Sequence, residues 1–218
     1  MESIKNSIRI GVTGHRSLDD LIELKKQIIR VLEIEIPALL ENGLFSIYKK
    51  NNSNSIFYSV LTSLAEGADR LVAKTITDYT IKSSLEIVLP LTIYDYKKTF
   101  KNPDDPQFIE FLKKANSIKK LRKNNLANDI KNVGGLVKMS IKNNTNMNLN
   151  MAFEDAGRYI VNSCDILLVL WNGKKSGGVG GTYEIYKYAI SVKKPIIIIS
   201  TNYPFEIKKM NCLKQIHL

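Results

Sequence analysis

Residues 165–184, DILLVLWNGKKSGGVGGTYE, constrain this chain more than any other stretch. An apolar run from Ile166 to Trp171 breaks at Asn172-Gly173. A glycine-dense loop follows, ending in Gly177-Gly178-Val179-Gly180-Gly181, and then Thr182 and a helical pattern over residues 183–192. Strand, glycine loop and helix start together place free backbone N–H groups at the end of a buried strand. That is a place for phosphates or other anions. Such a unit needs parallel strands beside it and further loops facing it.

The rest of the chain offers both. Residues 8–13 read as a strand leaving through Gly14-His15-Arg16. Leu21, Ile22, Leu24, Ile28, Ile29, Leu32, Ile36, Leu39 and Leu40 fall at helical spacing, predicting a helix over 18–40. Ser17 or Asp19 is the expected cap, Pro37 a late kink or end, and Asn42-Gly43 the stop. Residues 56–61 and 85–89 read as strands, with a helix between them running to about residue 81. Residues 108–121 predict another helix, from Phe108, Phe111, Leu112, Ala115, Ile118 and Leu121. The low-complexity stretch 143–150, NNTNMNLN, predicts a mobile segment. A helix over 150–164 and a fully buried strand over 195–200 complete the pattern. The tail from Thr201 predicts a short final helix. Alternating strands and helices give an α/β fold: a Rossmann-like, doubly wound, mainly parallel sheet flanked by helices. At 218 residues the expectation is one domain, 1–218, with residues 94–152 as a basic helical insertion over the edge or mouth of the sheet.

Composition narrows the partners. The net charge is +11 and the pI about 9.5, which favours acidic partners. Lysine, asparagine and isoleucine are heavy along the whole chain, so genome composition is the first explanation of the charge and a selected patch the second. The lysine-rich stretch 113–142 is a candidate nucleic-acid surface, testable at Lys119, Lys120, Arg122 and Lys123, but it lacks interleaved aromatics. Cys164 and Cys212 make neither a metal site nor a disulfide framework, and Cys164 is expected as a core thiol. With two histidines, no zinc or iron site and no resident cofactor are expected. The N-terminus has no signal-peptide pattern, and no apolar run approaches the ~18 residues of a membrane span. A cytoplasmic protein with no membrane partner is the expectation.

Three loops leave the carboxyl ends of the expected parallel strands, where an open α/β sheet binds its ligands. The first holds Gly11, Thr13, Gly14, His15 and Arg16. Its glycines let N–H groups approach a phosphate, and Arg16 can fork onto it; alternatively His15 and Arg16 pair with carboxylates. The second holds Ser63, Glu66, Gly67, Ala68, Asp69 and Arg70 at a strand-to-helix junction. There Arg70 either reaches a phosphate or pairs internally with Glu66 or Asp69. The third holds Asn172, Gly173, Gly178, Gly180, Gly181 and Thr182. Ordering so many glycines is costly, which favours close approach to a ligand over packing. Trp171 stacks a base or joins the core; Pro90 and Tyr94 are a pocket wall or surface. Glu184 and Glu66 are the candidate catalytic carboxylates if the chain is an enzyme.

These motifs resemble the SLOG superfamily, named for the Smf/DNA-processing and Lonely-Guy families. The resemblance rests on Gly11-Val12-Thr13-Gly14-His15-Arg16, on residues 63–73 (SLAEGADRLVA), on Leu89-Pro90, on residues 156–161 (AGRYIV) with Cys164-Asp165, on Trp171-Asn172-Gly173, and on Gly178-Val179-Gly180-Gly181-Thr182. It covers residues 8–91 and 153–200. It implies a Rossmann-like sheet binding nucleotides or nucleotide-derived ligands. Some members release a base from a nucleotide, some bind DNA, and some sense cyclic or ADP-ribose-type signals in bacterial defence systems and control an effector. The hydrolase branch shows P-G-G-x-G-T-x-x-E. Here Thr182 is followed at the third position by Ile185, with Glu184 one residue early, and Asn172 stands where an aspartate is expected. The binding role therefore carries over better than the catalytic one. The expectation is a sensor of a nucleotide-derived small molecule acting with an effector protein or as a homo-oligomer. A nucleotide N-glycosidase and a nucleic-acid binder are the alternatives.

Overall fold

The computed structural model describes residues 7–44, 56–79, 82–122, 140–175 and 180–212. Its elements in chain order are β1 (Ser7–Gly14), α1 (Leu21–Arg30), α2 (Ile36–Glu41), β2 (Phe57–Thr62), α3 (Ala68–Tyr79), β3 (Ser83–Leu89), α4 (Ile93–Lys97), α5 (Pro106–Lys114), β4 (Ser117–Lys120), α6 (Ser140–Ser163), β5 (Ile166–Trp171), α7 (Thr182–Ser191), β6 (Ile196–Ser200) and β7 (Ile207–Met210). The strands form one seven-stranded sheet in the order β4-β3-β2-β1-β5-β6-β7. Every pairing is parallel except β6 with β7. This is the Rossmann-like α/β architecture that the alternating pattern predicts.

Strand chemistry explains the two-sided cover. The six residues of β5 are all buried. Ile166, Leu168 and Leu170 join the core beneath α1 and α3, whereas Leu167, Val169 and Trp171 join the core beneath α6 and α7. That division follows from the two-residue period of a strand, and burying each such side chain contributes roughly 1.5–3 kcal/mol. Small residues let the helices come close. A Cβ on Gly11 would lie 2.7 Å from Cys164 Sγ, and one on Gly157 2.3 Å from Ile185 Cδ1.

Several boundaries differ from the sequence reading. Asp20, not Ser17 or Asp19, caps α1, accepting the Glu23 N–H. The helix then widens through one π turn, Val31–Glu35, before Pro37. Proline cannot donate to the turn behind it, and a widened turn accommodates that loss. The helix expected over 108–121 ends at Lys114; Ser117–Lys120 instead pairs with β3 as an edge strand. The asparagine-rich stretch expected to be mobile belongs to α6, which begins at Ser140. Within the tail expected to form a short helix, Ile207–Met210 is instead antiparallel β7, and residues 213–218 lie outside the described residues. Cys164 and Cys212 are both buried and free, and burial pushes the Cys164 thiol up to about 11. No helix among the described residues is long and apolar enough to cross a membrane.

Candidate functional site

Chain order reverses at β1, which has β2 on one side and β5 on the other. The crevice outside the carboxyl ends of such strands is where open α/β sheets bind ligands. Here it holds a cavity of about 380 Å³. Its floor is the end of β1, Val12 to Arg16. Ser63, Ala65 and Asp69 enter from the β2–α3 turn, Pro90 from the end of β3, and Tyr96 from α4. Phe153, Ala156, Gly157 and Ile160 of α6 form its roof, and Gly180, Gly181 and Thr182 close it at the start of α7.

Gly181 is the N-cap residue of α7, and among the described residues no side chain caps this helix start. Its first-turn amides and the helix dipole favour an anion. Arg16 is the one Lys or Arg among the described lining residues. Its Nη1 donates to the Thr99 carbonyl at 2.9 Å, and its guanidinium lies 5.3 Å from the Phe153 ring centroid. Thr13, Ser63, Tyr96 and Thr182 also line the cavity, and among the described residues none of their hydroxyls makes a hydrogen bond. Burial raises the Tyr96 phenol well above its ordinary value, with the Asp69 charge adding to the effect. It therefore presents an intact O–H to the cavity at neutral pH.

Asp69 is buried and organises the β2–α3 turn. Its Oδ2 accepts from Thr62 Oγ1 at 2.9 Å and from the Ala65 N–H at 3.2 Å. Burial pushes its carboxyl up to about 6, against the opposing effect of those bonds and of the Arg16 charge. Leu64 in the same turn has a φ of 57° and is fully buried. A left-handed leucine is held there by its surroundings, which supply the core contact.

His15 ties two loops together. Its N–H donates to the Leu170 carbonyl, and its Nε2 accepts the Asn172 N–H, both at 3.1 Å. Its carbonyl accepts the Ala68 N–H at 3.0 Å, so that amide at the start of α3 is already used. Arg16 runs on from this latch into the crevice. His15, Arg16 and Asn172 also line a second cavity, of about 370 Å³, with Ser17, Leu18, Asp19, Thr201 and Asn202.

Other residues singled out in the sequence serve the fold. Arg70 does not line the cavity. Its Nε donates to the Leu64 carbonyl, its Nη1 pairs with Asp105, and Phe100 lies 4.5 Å beneath the guanidinium. The internal partner of Arg70 is thus Asp105, neither Glu66 nor Asp69. Glu66 accepts the Lys101 N–H on both carboxylate oxygens, at 2.9 and 3.0 Å, and lies outside the lining. Glu184 also lies outside it, 3.6 Å from Lys187. Gly67 has a φ of 79°, and a Cβ there would meet the His15 and Arg16 carbonyl oxygens at 2.4 Å. Gly14 is as tightly held, 2.5 Å from the Ala68 Cβ on the same construction, and Gly11 packs on Cys164. Gly173 has no described residue within 4 Å of an added Cβ, and Gly178 falls outside the described residues. Trp171 is core, donating to the Lys174 carbonyl. Tyr94 is an exposed side chain under Lys98, and Tyr96 supplies the wall instead.

The sequence reading missed Tyr96 and the roof residues Phe153, Ala156, Gly157 and Ile160. The one available signal was the small pair Ala156-Gly157 inside a helical pattern, which marks close approach. Among the described residues no group of three or more His, Cys, Asp or Glu could hold a metal ion. No protein-family model matches this sequence, and no curated protein matches it.

Proposed function

We propose that this chain binds a nucleotide-derived small molecule in the crevice where the strand order reverses, as a sensing module rather than an enzyme. One observation carries the reading. A single cavity brings together a helix N-terminus and four hydroxyl-bearing residues that have no cap and no hydroxyl partner among the described residues, with the Arg16 guanidinium, beside an aromatic wall. Amides and a guanidinium suit a phosphate, hydroxyls suit a ribose, and Tyr96 and Phe153 suit a base. The resemblance to the SLOG superfamily supports the same class of ligand and a place in a bacterial defence system. A sensor of this kind acts through an effector protein or through assembly of copies of itself.

The hydrolytic alternative has less support. Its two named carboxylates, Glu184 and Glu66, lie outside the lining, and Asp69 is engaged in holding its own turn. The nucleic-acid alternative rests on Lys119 and Lys120 of the edge strand β4 and on Arg122 just after it, none of which lines the crevice; Lys123 lies outside the described residues.

The test is calorimetric titration with nucleoside monophosphates, with chromatography of the mixtures for free base. Saturable binding without base release is expected, weakened roughly 10- to 100-fold by Arg16→Ala, the worth of a charge-assisted hydrogen bond. Base release, or binding indifferent to Arg16→Ala, overturns the reading.

A further inference from the structure

We infer that the two cavities are subsites of one crevice, and that its ligand is of the dinucleotide class: two nucleoside units joined through a diphosphate held at Arg16. This rests on the nucleotide reading above and goes beyond it. The cavities, of about 380 and 370 Å³, share His15 and Arg16 and no other lining residue. Each alone is at the small end of the ~300–1,000 Å³ range of ligand sites, and together they sit well inside it.

Charge decides where the anionic part belongs. Among the described residues lining either cavity, Arg16 is the one Lys or Arg, and it stands at the junction. Beyond the junction, the first cavity offers the start of α7, whose amides can share the diphosphate with Arg16, together with hydroxyls and aromatic rings. The second offers Ser17, Asn172, Thr201 and Asn202, with the Asp19 carboxylate. A negative group has no cation to meet deep in either cavity, while a neutral sugar or base finds hydrogen-bonding partners in both. Thr201 is buried, and among the described residues its hydroxyl has no partner. Next to Asn202 in the chain stands Tyr203, an aromatic side chain that is 88% exposed. A ligand anionic in the middle and neutral at both ends meets these demands. A mononucleotide leaves the second cavity unused.

Two probes separate the possibilities: adenosine and guanosine monophosphates, and the matching 5′,5′-dinucleoside diphosphates, titrated by calorimetry. The dinucleotide is expected to bind at least tenfold tighter than its monophosphate. Thr201→Val and Asn202→Ala, made separately, are expected to remove that advantage and leave monophosphate binding unchanged. Melting temperature checks that each variant is folded, and Asn202 is exposed enough to be replaced without touching the core. Equal affinities for the two probe types, or an advantage that survives both variants, overturns the second subsite while the nucleotide reading stands. No binding of either probe overturns both.

Discussion

The β2–α3 and β5–α7 junctions both border the cavity at the end of β1, yet the helix-start amide of one is taken up by another loop while the helix start of the other faces the cavity. At β2–α3, Gly67 is pressed against two carbonyl oxygens, the Ala68 amide is spent on His15, and Arg70 and Glu66 are bound to Asp105 and Lys101. At β5–α7, no side chain among the described residues caps the helix start at Gly181, and Thr182 opens onto the crevice. The local chemistry is similar: glycine, a helix start, a polar side chain. What differs is whether another loop has reached the amides first. A helix start becomes an anion site only where no other part of the protein already occupies it.

Substitutions can break this contrast, and the largest effect belongs to Gly67→Ala. The new Cβ would meet two backbone oxygens at 2.4 Å in a left-handed conformation, so a loss of about 4 kcal/mol is expected in urea unfolding. A near-normal midpoint would mean that the junction is not packed as described. Next comes Arg70→Met, which strands the Asp105 carboxylate and should cost about 3 kcal/mol. Asp105→Asn in the same chain should restore part of it. The contrast is sharpest in titrations: folded Arg70→Met should keep its ligand affinity, whereas Arg16→Ala should lose it with little change in stability. If Arg70→Met loses binding, Arg70 also serves the ligand.

Asp69 gives a comparable effect through pH. Its carboxyl holds a proton up to about 6 in the fold, against 3.8 for the ordinary group, so the folded state binds more protons across that window. Stability should therefore fall as pH rises from about 4 to 6, by up to about 3 kcal/mol, and level off above. Asp69→Asn should flatten this part of the curve. The smallest effect belongs to Gly173→Ala, where the φ is 79° and no described residue has an atom within 4 Å. Only backbone strain remains there, about 1 kcal/mol. A much larger loss would show that the β5 exit is packed after all.

The parallel strands were legible because apolar runs such as Ile166–Trp171 and Ile196–Ile199 have no other stable use at that length. Alternation pointed to a doubly wound sheet but not to its strand order, so the reversal at β1 comes from the structure. β4 was not legible: SIKK is short, charged and exposed on the edge of the sheet, and Ile118 happened to continue a helical period. β7 failed for the same reason. In the crevice, Arg16 and Thr182 were readable as loop residues at strand ends. Tyr96 was not, because its place depends on α4 folding back over the sheet, which local pattern does not encode. Arg70 misled for a related reason. Its partner Asp105 lies 35 residues away in a region with no strong periodicity.

β1 is bonded along both edges and covered on both faces, and Ile8, Ile10 and Val12 are essentially solvent-free. Such backbone is the last to exchange its amide protons for deuterium. Because the strand runs straight into Thr13, Gly14 and His15, the crevice floor is anchored to the slowest-opening part of the chain. Isotope should enter Ser117–Lys120 and Ile207–Met210, at the two margins, long before it reaches that floor.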